Sequence, residues 1–404
     1  MYYLFAAFSG ILIFQLVLPF LTVVAARLFG RDTGKTAATD TGKRNYACIV
    51  TAYKNAAIAI PLVQSLLRQR YPHFYIYLVA DECPADFDPG IQDAKLTVFQ
   101  PDPPLRLKVK SIIYAMERLV RSHDYIAVFD ADNLAHPDFL TVIDQYAAAG
   151  HHSIQGQRTA KNTDNAFAAA DSVGELYKNY IERYAPWLLG SSAVISGSGM
   201  AVETGLYQAY LQSPAIQEGQ HLGKRMLQED KILQNFLLLR GESIAFAQKA
   251  VCYDEKIQNA DAVQTQRSRW LFSYFQNLPN TLRILISGII HLDWNRFFFG
   301  LVTLSLPMFI QVGLAFLLFI LGWFVAPVWS VALTAAVTVF AFTVLWTLSL
   351  SGAPGLVRRA FIAIPTFIWR QMRALLGMRN PDKNFKHTEH TKVVTVDEVL
   401  GGEE

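Results

Sequence analysis

From Phe297 to Val357 the chain carries no Asp, Glu, Lys or Arg. Such a stretch is excluded from water and belongs in a bilayer. A hydrocarbon core about 30 Å thick takes roughly 20 apolar residues per helix. The stretch therefore holds two spans, expected at Phe297–Phe324 and Val328–Leu350, with a tight turn at Ala326-Pro327. Charge is missing again from Met1 to Ala26, and no basic residue opens that run. A secretory signal peptide has a basic start and a shorter apolar core, so the run reads as a retained anchor over residues 1–28. With no ionisable side chain inside the two later spans, a pore or transporter is disfavoured. Cysteine is scarce too: Cys48, Cys83 and Cys252 show no CxxC spacing, which excludes a disulfide framework or a paired zinc site. The formal charge is only +3, and the cations gather beside the apolar runs. That placement favours anionic membrane lipid and gives no reason to expect nucleic acid.

Arg27, Arg31, Lys35, Lys43 and Arg44 follow the anchor, and Arg358, Arg359, Arg370, Arg373, Arg379, Lys383 and Lys386 follow the last span. By the positive-inside rule both clusters lie in the cytoplasm, which an even number of intervening spans permits. The expectation is a multi-pass protein of the inner (plasma) membrane with its polar domain inside the cell. That domain is expected over 45–283 and the membrane hairpin over 297–350. A basic amphipathic helix in the headgroup plane is expected over 355–378, then a polar, loosely ordered tail over 380–404.

Between the apolar ends, hydrophobic runs alternate with helical patterns. Strands are expected at Tyr46–Ala52, Phe74–Ala80, Leu96–Phe99 and Tyr125–Phe129, and helices at about 56–69, 107–121, 137–148, 165–183 and 262–276. Ser243–Ala247 and Ala250–Tyr253 read as a hairpin-like pair. Alternating strands and helices predict an α/β domain with a mainly parallel sheet. Ligands of such sheets bind beyond the carboxyl ends of the strands. Asp81 and Asp130 are the first residues past two of those ends.

Asp130-Ala131-Asp132 can hold a hard cation that takes its other oxygens from phosphate and water, or can simply cap a turn. Glu229-Asp230 opens a helix, where acidic residues suit the positive end. The same pair can supply a base for an attacking hydroxyl. Gln266, Arg269 and Trp270 share one helix face. They suit diphosphate and sugar binding, or equally an amphipathic helix lying on a membrane.

Taken in order, Asp81, Asp130-Ala131-Asp132, Glu229-Asp230 and Gln266-Arg267-Ser268-Arg269-Trp270 resemble the D, DxD, D, QxxRW signature of family 2 membrane glycosyltransferases. The resemblance is to the cellulose synthase and hyaluronan synthase type. It implies a GT-A fold, a Mg2+ or Mn2+ ion, a UDP-sugar donor and a polysaccharide or glycolipid acceptor. It implies that Asp81 contacts the base or ribose, that Asp130 and Asp132 hold nucleotide and metal, and that Asp230 is the general base, with Glu229 beside it. Gln266, Arg269 and Trp270 would brace the diphosphate and the acceptor end. Lys110 would lie near the diphosphate, and Ser198-Gly199 beside the acceptor. Thr51-Ala52-Tyr53-Lys54-Asn55 departs from the family's Pro-x-Tyr-Asn-Glu. Three spans are also fewer than polymer-extruding synthases use, so a homo-oligomer or export partner, or a single transfer to lipid, is expected. The alternative reading is a non-catalytic nucleotide-sugar-binding scaffold of an export complex.

Overall fold

The structure, a computed structural model, describes residues 2–33, 41–162, 166–221, 228–256, 260–360 and 394–401. The chain forms two compact units. A sheet unit comprises Asp32–Asn162, Ser192–Ile257 and Arg379–Glu404, and a helical unit comprises Met1–Arg31, Thr163–Ser191 and Gln258–Met378. Within the range 45–283, residues 163–191 and 258–283 cluster with the apolar helices.

The sheet unit is built on eight strands: β1 (Tyr46–Tyr53), β2 (Phe74–Asp81), β3 (Leu96–Phe99), β4 (Tyr125–Asp130), β5 (Leu134–Ala135), β6 (Ser153–Ala160), β7 (Met200–Glu203) and β8 (Ala245–Asp254). Their order across the sheet is β3-β2-β1-β4-β7-β6-β8-β5. β1 to β4 run parallel, β7 is antiparallel to β4 and β6, and β8 runs parallel to β6. β1, β2 and β4 are nearly continuous apolar runs because both faces of the sheet are covered. Register sets Tyr53 opposite Asp81 and Thr51 opposite Asp130, so both acidic ends reach one rim of the sheet.

One reading of the sequence needs correction, and one strand went unread. Ser243–Tyr253 is not a hairpin: it is the single strand β8, with a register shift against Gly156/Gln157 that absorbs residues 248–250. A bulge of this kind breaks the apolar alternation and imitates a turn. β6 carries Gln155, Gly156, Gln157 and Arg158, whose polarity hides a strand whose first four residues are buried.

Among the described residues of the helical unit, three helices are long and apolar enough to cross a membrane: Tyr2–Phe29, Met308–Val325 and Pro327–Leu350. The span expected from Phe297 is shorter than that. Trp294–Leu304 is a separate helix of 11 residues, about 16 Å long and too short to cross. Pro307 lacks an N–H and disfavours helix before it. Leu306 N donates to Gln15 Oε1 (3.5 Å), and Leu306 O accepts from Gln311 Nε2 (2.7 Å), so polar side chains replace the lost helical bonds. Leu16 and Val23 pack with Leu333, Phe340, Val344 and Leu348 in one core. Phe8, Ile11, Leu21, Phe316, Trp323, Phe324, Val328 and Val331 point outward. An exterior this apolar suits lipid.

Of the helix expected over 355–378, Gly355–Arg359 is described; residues 361–393 lie outside the described residues, and with them His387 and His390. The tail expected to be loose forms a helix at Val396–Gly401. A reciprocal capping box starts it: Thr395 N donates to Glu398 Oε2 (2.7 Å) and Glu398 N to Thr395 Oγ1 (3.4 Å).

At the opposite rim of the sheet, His123 Nδ1–H donates to Asn45 Oδ1 (2.6 Å), leaving Nε2 to accept from the Tyr77 hydroxyl (2.8 Å). Burial, aided by Arg121, lowers this imidazole from 6.5 to about 4. The unfolded chain therefore binds a proton between these values that the folded chain refuses. The contribution is complete above pH 6.5 and is lost as pH falls toward 4. His123→Gln should flatten that slope by something on the order of 2 kcal/mol, read from chemical denaturation at pH 7 and pH 4.5.

Candidate active site

The site grows from the rim where β2 and β4 end. Asp81, almost fully buried, accepts from Leu105 N (2.7 Å) at Oδ1 and from Arg106 N (2.6 Å) at Oδ2. Both carboxylate oxygens thus hold the loop that leads into the helix Lys108–Met116. Lys108 is the first residue of that helix, where a cation opposes the helix dipole. Its surroundings more than compensate. Lys108 Nζ lies 2.6 Å from Asp130 Oδ1 and 3.4 Å from Glu229 Oε1, and it donates to Gly197 O at 2.9 Å. Burial alone would lower its pKa, but the charges of Asp130 and Glu229 outweigh burial and hold the ammonium above its ordinary value. One cation therefore joins the ends of β4, the helix Glu229–Leu239 and the Gly197 loop.

Asp130 stays the more open of these groups, with 35% of its side chain exposed. Its turn is fixed by Asn133, which donates its backbone N–H to Asp130 O (3.0 Å) and accepts from Asp130 N (3.1 Å) at Oδ1. Asn133 Nδ2 reaches Asp132 Oδ1 (3.4 Å) and Asp254 Oδ1 (3.5 Å). Asp254, at the end of β8, also holds Arg158 and Lys256 (3.0 Å). Lys161 Nζ donates to Asp132 O (2.9 Å) and pairs with Glu255 (3.3 Å). Asp132 is mostly buried within this network. Burial raises Glu229 above its usual carboxylate value, and Asp230 and Asp130 add to that against the pull of Lys108.

The segment Ser196–Gly199 closes over the start of β7. Gly197 (φ +82°) brings its backbone against Asp230: a Cβ there would stand 3.4 Å from Asp230 Cβ. Gly199 (φ +59°) leaves no room at all, with a Cβ 2.8 Å from Cys252 Cβ. Fully buried Gln155 pins the segment through Ser196 N (2.9 Å), Ser198 O (3.1 Å) and Gly199 O (3.1 Å). Ser198 is itself fully buried.

The structure therefore brings together Asp130, Glu229, Asp230 and the Gly197 loop, with Asp132 in the adjoining network. Gln266, Arg269 and Trp270 belong to the helical unit, on the helix Ala260–Ile290. The lysine that touches Asp130 is Lys108. Lys110, two residues on and roughly 200° round the helix, does not face it. Lys108, Asn133, Gln155 and Asp254 were not anticipated. A cation in the first turn of a helix, where acids are favoured, is a local signal, but Lys110 shares that turn with Lys108.

Against known proteins, a family described as glycosyltransferase-like family 2 matches residues 44–273. The match covers more than half the chain. The chain belongs to this glycosyltransferase family. No curated protein matches it in sequence. Among solved structures it is similar to the mannosyltransferase PcManGT from Pyrobaculum calidifontis, in complex with GDP-Man and Mn2+. That similarity is 14% identity over 93% of this chain and 94% of the other, with a TM-score of 0.47. It is also similar to S. aureus TarS residues 1–349 in complex with UDP-GlcNAc, at 14% identity over 60% of this chain and 66% of the other, TM-score 0.36. The sheet unit of this glycosyltransferase has the GT-A type of architecture, mixed and mainly parallel with helices on its faces.

Three substitutions check the geometry. Gly199→Ala imposes both a left-handed backbone and a clash with Cys252, and should destabilise the protein by about 2–4 kcal/mol in denaturant titration. Lys108→Ala should lower glycosyl transfer about 100-fold, since it removes a preorganised cation, whereas Lys110→Ala should stay within about threefold. Both lysine variants would be compared at saturating donor.

Proposed function

We propose that this chain is a membrane-embedded, inverting glycosyltransferase. It would move a sugar from a UDP-sugar to a polysaccharide or lipid-linked acceptor in cell-envelope glycan synthesis, with its sheet unit in the cytoplasm. The observation that carries the reading is Lys108, held between Asp130 and Glu229 beside Asp230 at the carboxyl ends of the strands. Nucleotide ligands occupy that rim in open α/β sheets.

The chemistry follows from these groups. Asp230 takes the proton from the acceptor hydroxyl as its oxygen bonds to the anomeric carbon. The bond from that carbon to the diphosphate breaks, its electron pair leaves with UDP, and the single displacement inverts the anomeric configuration. Lys108 supplies fixed positive charge where the diphosphate gains negative charge. Glu229, raised by burial, keeps Lys108 in place and adds to the negative field around Asp230.

Among the described residues no group of three or more His, Cys, Asp or Glu is placed to hold an ion. Asp130 and Asp132 still fit Mg2+ or Mn2+, because such ions take one or two carboxylates and complete their shell with phosphate and water. When bound, the ion neutralises diphosphate charge. Gln266, Arg269 and Trp270 keep the roles that the family resemblance gives them.

The test is UDP release by the detergent- or nanodisc-held protein against a panel of UDP-sugars, with Mg2+ or Mn2+ and with EDTA. One sugar should give metal-dependent release, and Asp230→Asn should cut it about 10²–10⁴-fold with folding intact. UDP binding without release under any condition, and indifference to Asp230→Asn, would instead establish a nucleotide-sugar-binding scaffold.

A further inference from the structure

Lys178 in the helical unit has no part in the machinery above, and it stands beside Trp270, which the family resemblance sets at the acceptor end. Lys178 Nζ lies 5.7 Å from the centroid of the Trp270 ring. Lys178 ends the helix Ala166–Lys178, and a π-helical turn, Asn179–Tyr184, follows directly. Such turns widen a helix and re-aim its side chains. Trp270 remains 41% exposed, although it stands on a helix that is well packed nearby.

Both residues are fixed at one depth by their chain neighbours. Leu271, next to Trp270, is buried against Phe309 and Ile310, in the first turn of the span Met308–Val325. Gly174, one turn before Lys178, lies beside Met308: a Cβ there would stand 4.0 Å from Met308 Cε. The span of 18 residues is about 27 Å long, close to the bilayer core, so its Met308 end lies at the membrane boundary. At that boundary lipid phosphates sit level with Trp and Lys side chains.

We propose that Lys178 and Trp270 form a subsite for the phosphate headgroup of a membrane lipid, the acceptor class of the transfer proposed above. The ammonium pairs with the phosphate, and the exposed indole takes the first carbons of the lipid against its face. Cation and ring support each other when desolvated. The pair is drawn from two helices of one unit, so the subsite does not depend on the sheet unit for its shape. In naming the acceptor class the inference rests on the glycosyltransferase reading; the binding itself does not.

The experiment uses the full chain in detergent micelles and reads lipid binding by native mass spectrometry. Polyprenyl phosphate is compared with polyprenol, and phosphatidic acid with diacylglycerol, so each pair differs at the phosphate. The expected result is at least tenfold tighter binding of one phosphorylated member than of its neutral partner. Lys178→Gln should abolish that preference and Lys178→Arg should retain it, with thermal melting confirming that both fold. The phosphate pair that shows the preference identifies the source of the headgroup. With an acceptor in hand, Lys178→Gln should raise the KM for lipid about tenfold, more than it lowers kcat.

Equal binding of phosphate and alcohol would overturn the subsite, as would an equal loss of both on Lys178→Gln, which marks a packing role. Transfer to a soluble oligosaccharide with no lipid dependence would overturn the acceptor assignment in favour of a polymer. Phosphate-selective binding without any sugar transfer would leave the subsite standing and sink the enzymatic reading.

Discussion

Carboxylates gathered at a strand edge repel one another, and the sheet unit assembles Asp130, Asp132, Glu229, Asp230, Asp254 and Glu255 on such an edge. What allows this is a cation placed between each cluster. Lys108 lies against Asp130 and Glu229, while Arg158, Lys161 and Lys256 answer Asp254 and Glu255. Breaking a buried pair costs far more than the pair itself is worth, because the surviving charge is left without a partner. Such clusters therefore act less as glue than as locators. They specify where the β4 turn, the helix Glu229–Leu239 and the end of β8 must stand.

Position at this edge is passed along through backbone groups. Asp81 holds the loop 105–106, and that loop starts the helix whose first residue is Lys108. Gln155 holds Ser196, Ser198 and Gly199, and Gly197 in turn fits beside Asp230. Gly156 is needed for the same reason as Gly199, since a Cβ would stand 2.6 Å from Ala250 O and 2.8 Å from Gly199 O. The bulge in β8 places Ala250 there. A strand irregularity, two glycines and one buried amide thus set the backbone of the loop at the site.

The parts of this arrangement that were readable in sequence share a cause. β1, β2 and β4 are apolar runs ended by Asp or Tyr, and burial on two faces writes that pattern directly. The Asp130 turn and Glu229-Asp230 were legible because their spacing is local. Lys108 was not: its partners lie 22 and 121 positions away, and nothing in Leu107–Ser111 separates it from Lys110. β6 stayed hidden because its inward side chains include Gln155, whose polarity is satisfied by backbone groups distant in sequence. The helix Val396–Gly401 was present as a capping box, Thr395 to Glu398, and was obscured by the polar residues around it.

The helical unit shows a different limit. Absence of charge from Phe297 to Val357 marks a segment apolar enough to cross a membrane, yet it cannot mark where a helix stops within one. The stop at Ser305–Pro307 depends on Pro307, but proline alone is tolerated inside the helices Tyr2–Phe29 and Ala260–Ile290, at Pro19 and Pro279. The difference is supplied by Gln15 and Gln311, which take up the Leu306 backbone groups. A break in an apolar segment is thus specified jointly by a proline and by amides on two helices. Gln15 and Leu306 are almost three hundred positions apart, so that specification is visible only once the helices are packed.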